Sequence, residues 1–310
     1  RKKNFNTHTS ISGYNTESSM INQFVQYAQN ISPEELSWNE WLAYDSFLID
    51  PNETETTNPD GSISFILDGY QPTAGLEILG QKQTRKITED GFINEVDLAF
   101  SSAYKNLVFI GGSIGFTHMK FSHRSSHKED EFNENNNLIN FQYNEHLSQE
   151  GGGVNLKIGT IIKPLAFLRI GLAYHSATYN EISEFYEASI ETNFIEPPTD
   201  TTATSFYQSY SSNYDFILNS PSKSILSLAL IKKYNKIQTL MTLDFERVHY
   251  GKSQLSSIDF YDYDFYDENE NISKYYGTAN NIKTGLFLSM RNISLRGGYA
   301  IFGSPFKAKE

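Results

Sequence analysis

The stretch from Gly151 to Asn180, GGGVNLKIGTIIKPLAFLRIGLAYHSATYN, restricts the fold more than any other part of the chain. Val154, Leu156, Ile158, Thr160 and Ile162 take the even positions, with Asn155, Lys157, Gly159 and Lys163 between them. After Pro164 the pattern resumes, with Leu168, Ile170, Leu172 and Tyr174 even and Arg169, Gly171, Ala173 and His175 odd. Side chains of a strand alternate between its faces, so each half has one apolar wall and one wall of charged and small residues. A turn over 164–166 would set Ile162 near Leu168 and join the apolar walls. Two strands of about ten residues with a minimal turn are the pattern of a transmembrane β-hairpin. A soluble sandwich hairpin with one solvated face has the same pattern.

Composition bears on that choice. A mean hydropathy of −0.47 and a net charge of −12 argue against an ordinary membrane protein, and no apolar run is long enough for a transmembrane helix. A barrel escapes this argument, because half of each strand faces a polar lumen and the outer loops are polar. The 20 Tyr and 22 Phe suit aromatic girdles at two interfaces. With no Cys, disulfide frameworks and thiolate metal sites are excluded. No basic patch stands out, and the acidic balance makes nucleic acid an unexpected partner.

In chain order, residues 1–12 alternate weakly and read as part of a strand, so the chain reads as starting in mid-fold. Met20, Ile21, Phe24, Tyr27 and Ala28 have helical spacing. Ser32-Pro33-Glu34-Glu35 reads as a capping box opening a second helix through Trp38, Trp41, Leu42 and Leu48. Residues 50–62 are polar and turn-rich. Three more alternating hairpins follow, at 95–104/108–121, 224–232/237–250 and 282–290/293–301. Their turns, at 105–107, 233–236 and 291–292, are short like the one at 164–166. The other connections, about 13–90, 122–151, 181–217 and 251–279, read as long loops. Short turns on one side and long loops on the other are the arrangement of an outer-membrane barrel, with the long loops extracellular. The expected fold is all-β, a single transmembrane antiparallel β-barrel domain over 1–310 with helical extracellular loops. About nine strands can be counted, whereas single-chain bacterial barrels have an even number; the count implies a barrel truncated at both ends.

Several of these strands carry a resemblance. GGGVNLKIGTIIKPLAFLRIGLAYHSATYNEISEFYEASI, INEVDLAFSSAYKNLVFIGGSIGF, MTLDFERVHYG and ISLRGGYAIFGSPF resemble successive strands of the FadL/TodX-type outer-membrane transporters of long-chain fatty acids and aromatic hydrocarbons, in the branch found in Bacteroidetes. The resemblance implies a fourteen-stranded barrel, a plug in its lumen and passive uptake of hydrophobic molecules through the wall. The plug, the first strands and the last strands of that fold have no counterpart in this sequence.

On this reading the protein is no enzyme and needs no cofactor. Glu95, Asp97, Asp244 and Glu246 share the polar wall with Lys157, Arg169, Lys283 and Arg296, a lumen lining of compensating charges rather than a catalytic set. His123 and His127 could ligate a metal or haem, but two histidines in a loop more often hold neither, and no metal site is expected. Phe24, Tyr27, Trp38, Trp41 and Leu42 give the first loop more apolar surface than a polar external loop needs, and are candidates for ligand capture. The partners expected are outer-membrane lipid and a hydrophobic small-molecule ligand. Other envelope proteins are the partners if the barrel is instead a docking or structural subunit of a secretion complex.

Overall fold

The computed structural model describes residues 2–73, 80–132, 136–198, 202–235, 237–258, 264–290 and 292–307. It is mostly antiparallel β-structure, 70% strand and 11% helix. The strands are β1 (Lys2–Asn15), β2 (Ile49–Thr57), β3 (Ile63–Pro72), β4 (Gln81–Tyr104), β5 (Val108–Asp130), β6 (Leu138–Leu165) and β7 (Leu168–His175). After them come β8 (Tyr179–Phe194), β9 (Ser205–Asn219), β10 (Lys223–Tyr234), β11 (Ile237–His249), β12 (Gln254–Ser257), β13 (Thr278–Met290) and β14 (Ile293–Ile301). Helices α1 (Met20–Ala28), α2 (Trp38–Asp45) and α3 (Tyr266–Tyr275) lie in the connections.

Twelve strands form one sheet, while β2 and β3 pair as a separate hairpin. Within the large sheet β7 and β8 both lie against β6, β10 and β9 lie against β7 and β8, and β12 extends β11 along β9. Each of those three pairs is one long strand, broken at 176–178, at Ser220-Pro221-Ser222 and at a 3-10 turn over Tyr250–Lys252. The sheet is therefore nine consecutive antiparallel spans. β1 covers β4 only along 81–94, and β14 pairs with β13 alone. Among the described residues β1 and β14 do not meet, so closure into a barrel is not observed.

The turns at 105–107 and 291–292 fall where expected, and the other two differ. Lys105 and Asn106 both have positive φ, 47° and 53°, the type I′ geometry that matches hairpin twist. The second turn is 166–167, because Leu165 pairs with Leu168 after a register shift beyond Ile162. Pro164 lies in that bulge, where its missing N–H breaks no ladder bond. Ile162 consequently faces Ile170, not Leu168. Tyr234 pairs with Ile237, so the expected four-residue turn at 233–236 has two residues.

The supposed long loops hold much of the sheet. β5 runs to Asp130 and β6 starts at Leu138, so the connection at 122–151 shrinks to seven residues, 131–137. β8 and β9 occupy most of 181–217, and β2 and β3 fill most of 49–72. The reason is chemical. In SHRSSHKED both faces are polar, so the period of two that marks a half-buried strand is invisible in the residue types.

The buried core lies at the end of the sheet away from the short turns. Ile21, Phe24 and Ala28 of α1 and Leu42 and Ala43 of α2 pack on Phe141 and Tyr143 of β6 and Ala188, Ile190 and Phe194 of β8. By parity these β6 residues share a face with Asn155 and Lys157, so the helices cover the upper part of the charged face. The N-terminal capping box belongs to Ser19 and Asn22, each side chain meeting the other's backbone. Ser32 makes no backbone cap; its hydroxyl meets the Glu35 carboxylate at 3.0 Å and opens only a 3-10 turn over Pro33–Glu35.

Candidate functional site: an apolar face and a charged face

Register carries the alternation from strand to strand. Phe116 pairs with Val96 and Val154, Ile158 with Tyr174, Leu172 with Leu226, Leu226 with Phe245 and Phe245 with Ile282. The even and odd apolar sets therefore form one continuous surface across all the short hairpins. Most of it is exposed, Phe100 being 71% accessible and Leu295 66%, while Leu168, Ile170 and Leu288 are half-buried. Contiguous apolar surface of this extent marks an interface with lipid or another apolar partner.

On the opposite face the charges form two clusters. Lys157 Nζ lies 2.7 Å from both Glu95 Oε1 and Asp97 Oδ1, and Asn155 Nδ2 donates to Glu95 at 3.0 Å. Farther along the sheet, Glu246 accepts from Asn281 Nδ2 at 2.8 Å and pairs with Lys283 at 3.3 Å and Lys223 at 3.7 Å. The structure thus unites Glu95, Asp97 and Lys157, and separately Glu246 and Lys283. Asp244 is opposite Lys283 in register but joins neither cluster. Arg296 lies over the Phe287 ring at 5.1 Å, and Arg169 keeps a buried Nη1 without a hydrogen-bond partner. Asn155 stands on the polar wall as its parity required, while Lys223 and Asn281, just outside the expected hairpins, were missed as members. Between the clusters lies a shallow hollow of about 650 Å³, lined by small residues such as Ala99, Ser101, Gly111, Gly159 and Ser227 and bounded by Lys157 and Arg169.

His123 and His127 stand on β5, not in a loop. His123 Nδ1 is 3.0 Å from Glu89 and His127 Nε2 is 2.9 Å from Glu129. Four residues of extended strand separate the two by about 13 Å, so they cannot share one metal ion. Among the described residues no cluster of His, Asp and Glu could hold a metal.

The five capture candidates divide. Phe24 and Leu42 are buried core residues, Phe24 with its ring edge against Tyr143. Trp41 packs against that core. Tyr27 and Trp38 remain exposed, and the Trp38 indole stacks on Tyr210 with centroids 3.6 Å apart. Below them the Tyr143 hydroxyl lies 2.8 Å from Asn39 Oδ1 and 3.1 Å from Glu145 Oε1, with one proton to share between them, and burial pushes its phenol far above the usual range.

Glu40 of α2 is buried, with the Ser37 hydroxyl donating to its carboxylate, and burial raises its pKa. A carboxyl raised on folding is neutral in both states below its unfolded pKa and loses stability as pH climbs through the folded value. The helical insert should therefore loosen between acidic and neutral pH. Glu40→Gln, which keeps the acceptor for Ser37, should slow exchange of the α2 amides at neutral pH and change nothing at acidic pH. Equal exchange in both proteins at neutral pH would contradict this.

The chain matches no family model, and no curated protein or solved structure is significantly similar to it.

Proposed function

We propose that the chain forms wall of an outer-membrane β-barrel, and that hydrophobic small molecules such as long-chain fatty acids cross passively along its charged face. The observation that carries the membrane reading is the continuous exposed apolar surface, with spans of about ten residues per strand, the length that a tilted strand needs to cross the hydrocarbon core. A sheet in that setting must also satisfy its edges, which a closed barrel would do. The transport reading draws on the resemblance in the strand sequences and on the small-residue hollow beneath the insert.

Uptake into vesicles tests it. The inserted protein should admit an apolar fluorescent acyl probe, and Ser227→Phe, which fills the hollow, should cut that uptake severalfold while leaving insertion intact. Inserted protein without uptake, or full uptake through Ser227→Phe, removes the transport reading.

A second reading, a docking or structural subunit of an envelope complex, is favoured by one feature. The β2–β3 hairpin exposes Ile63, Phe65 and Ile66, while Phe24 and Leu42 are consumed by the core. Co-purification of a large complex that is lost on Phe65→Asp would support it.

A further inference from the structure

Charge is sorted along the strands. No Lys or Arg occurs in 4–81, 170–222 or 253–273, stretches that include the helical insert and β8 and β9. No Asp or Glu occurs in 98–128, 151–180, 216–243 or 271–309, and each of these contains one of the four short turns. No single segment shows a basic patch; the topology assembles one.

The four turns lie on one end of the sheet, each two strands from the next, about 10 Å apart. Backbone bonds join neighbours: Lys163 N–H to Leu107 C=O at 2.7 Å, and Ile231 N–H to Phe167 C=O at 2.8 Å. Lys105, Lys163, Lys232 and Lys233 crowd this end, and none is ion-paired among the described residues. Toward the opposite end Lys82, Lys120 and Lys128 are each paired with a carboxylate, although Arg85 and Lys86 are not. Lys105 and Lys163 lie over the rings of Tyr104 and Phe109 at 5.3 and 4.2 Å, stems along the sheet and ammonium groups at its rim. Apolar residues of the exposed face run right up to and between these cations, to Tyr104, Leu165, Tyr234 and Met290.

We infer that the short-turn end is a docking surface for anionic phospholipid headgroups of the phosphatidylglycerol type, which orients the sheet in the bilayer. The surface rests on the membrane reading above. Unpaired cations in one row at the edge of an apolar band lie in the plane that lipid phosphates occupy. A soluble anionic partner would have no reason to follow that edge from turn to turn.

The protein is inserted into vesicles of equimolar phosphatidylcholine and phosphatidylglycerol, extracted gently, and the retained lipids are weighed by native mass spectrometry. Each cation near an anionic surface contributes about fivefold in affinity, so phosphatidylglycerol should be retained over phosphatidylcholine by about fivefold or more, less at high salt. Lys105→Gln/Lys163→Gln/Lys232→Gln/Lys233→Gln should insert and lose the preference. The same four changed to Arg should keep it, as should Lys120→Gln/Lys128→Gln. Inserted wild type without preference, or an undiminished preference in the Gln variant, overturns the inference and leaves the membrane reading standing. Failure to insert in either lipid overturns both. Binding of a soluble polyanion without lipid preference assigns the surface to a soluble partner and overturns the inference as well.

Discussion

Ile158→Lys should prevent stable folding in a bilayer. Ile158 is 52% exposed at the middle of the apolar run of β6, between Gly112 and Tyr174 on its neighbours. A Lys there puts a charge near the midplane of the hydrocarbon, at a cost of about 2–4 kcal/mol. Its sequence neighbour answers differently. Replacing Lys157 by Ile adds no charge to lipid but leaves Glu95 and Asp97 without the cation 2.7 Å from each. The cluster is only half-buried and Asp97 is exposed, so water screens part of the repulsion between the two carboxylates left facing each other. Lys157→Ile should therefore cost less than Ile158→Lys, and its cost should be curable: Glu95→Gln/Asp97→Asn in the same chain should restore folding. No second change on the charged face should rescue Ile158→Lys. Heat-modifiability on cold gels and urea unfolding in vesicles report both. Wild-type behaviour of Ile158→Lys would mean that this face does not meet lipid.

That contrast also shows what was legible in the residues. The period of two in β4, β5, β6, β7, β10, β11, β13 and β14 needs only one apolar face, and every hairpin inferred from it is present with its walls correctly assigned. Parity could put Lys157, Glu95 and Asp97 each on the polar wall, but not their pairing, since the carboxylates come from β4, two strands away. Strand ends were unreadable for a related reason. Above Phe121 one face of β5 is polar against water and the other, Ser125, His127 and Glu129, is polar against the helical insert. Pattern sees no difference between those two environments. The helices were visible by their spacing, yet their apolar residues looked available because nothing local says that Phe24 meets Tyr143, more than a hundred residues away. The charge sorting is written in the sequence, but the basic row it builds exists only once the turns are gathered to one end.

Glu129→Ala should release α1 from the sheet while leaving the apolar face intact. Glu129 is fully buried, and five donors converge on it from three elements and the cap. Oε2 accepts from Ser19 Oγ at 2.6 Å and Gln81 Nε2 at 3.0 Å; Oε1 accepts from the Met20 N–H at 2.8 Å and from Gln83 Nε2 and His127 Nε2 at 2.9 Å. The carboxylate also lies at the N-terminus of α1, where the helix dipole favours negative charge. Ser19 links the two roles, since its hydroxyl donates to Glu129 while accepting from the Ile21 N–H at 3.1 Å. Deleting the acceptor leaves buried donors unmatched at about 1–3 kcal/mol each, and His127 already has a buried Nδ1 without a partner to draw on. Water can enter at the α1 end, so the loss should total about 3–5 kcal/mol, typical of removing one member of a buried charged network. Glu129→Gln should fall between, because an amide turns one acceptor into a donor facing donors. Amide exchange in α1 and proteolysis within 13–80 should accelerate by orders of magnitude in the Ala variant. Exchange in β10 and β11, far along the sheet, should not change. Unaltered protection of α1 would show that the Ile21, Phe24 and Ala28 contacts hold the helix without the carboxylate.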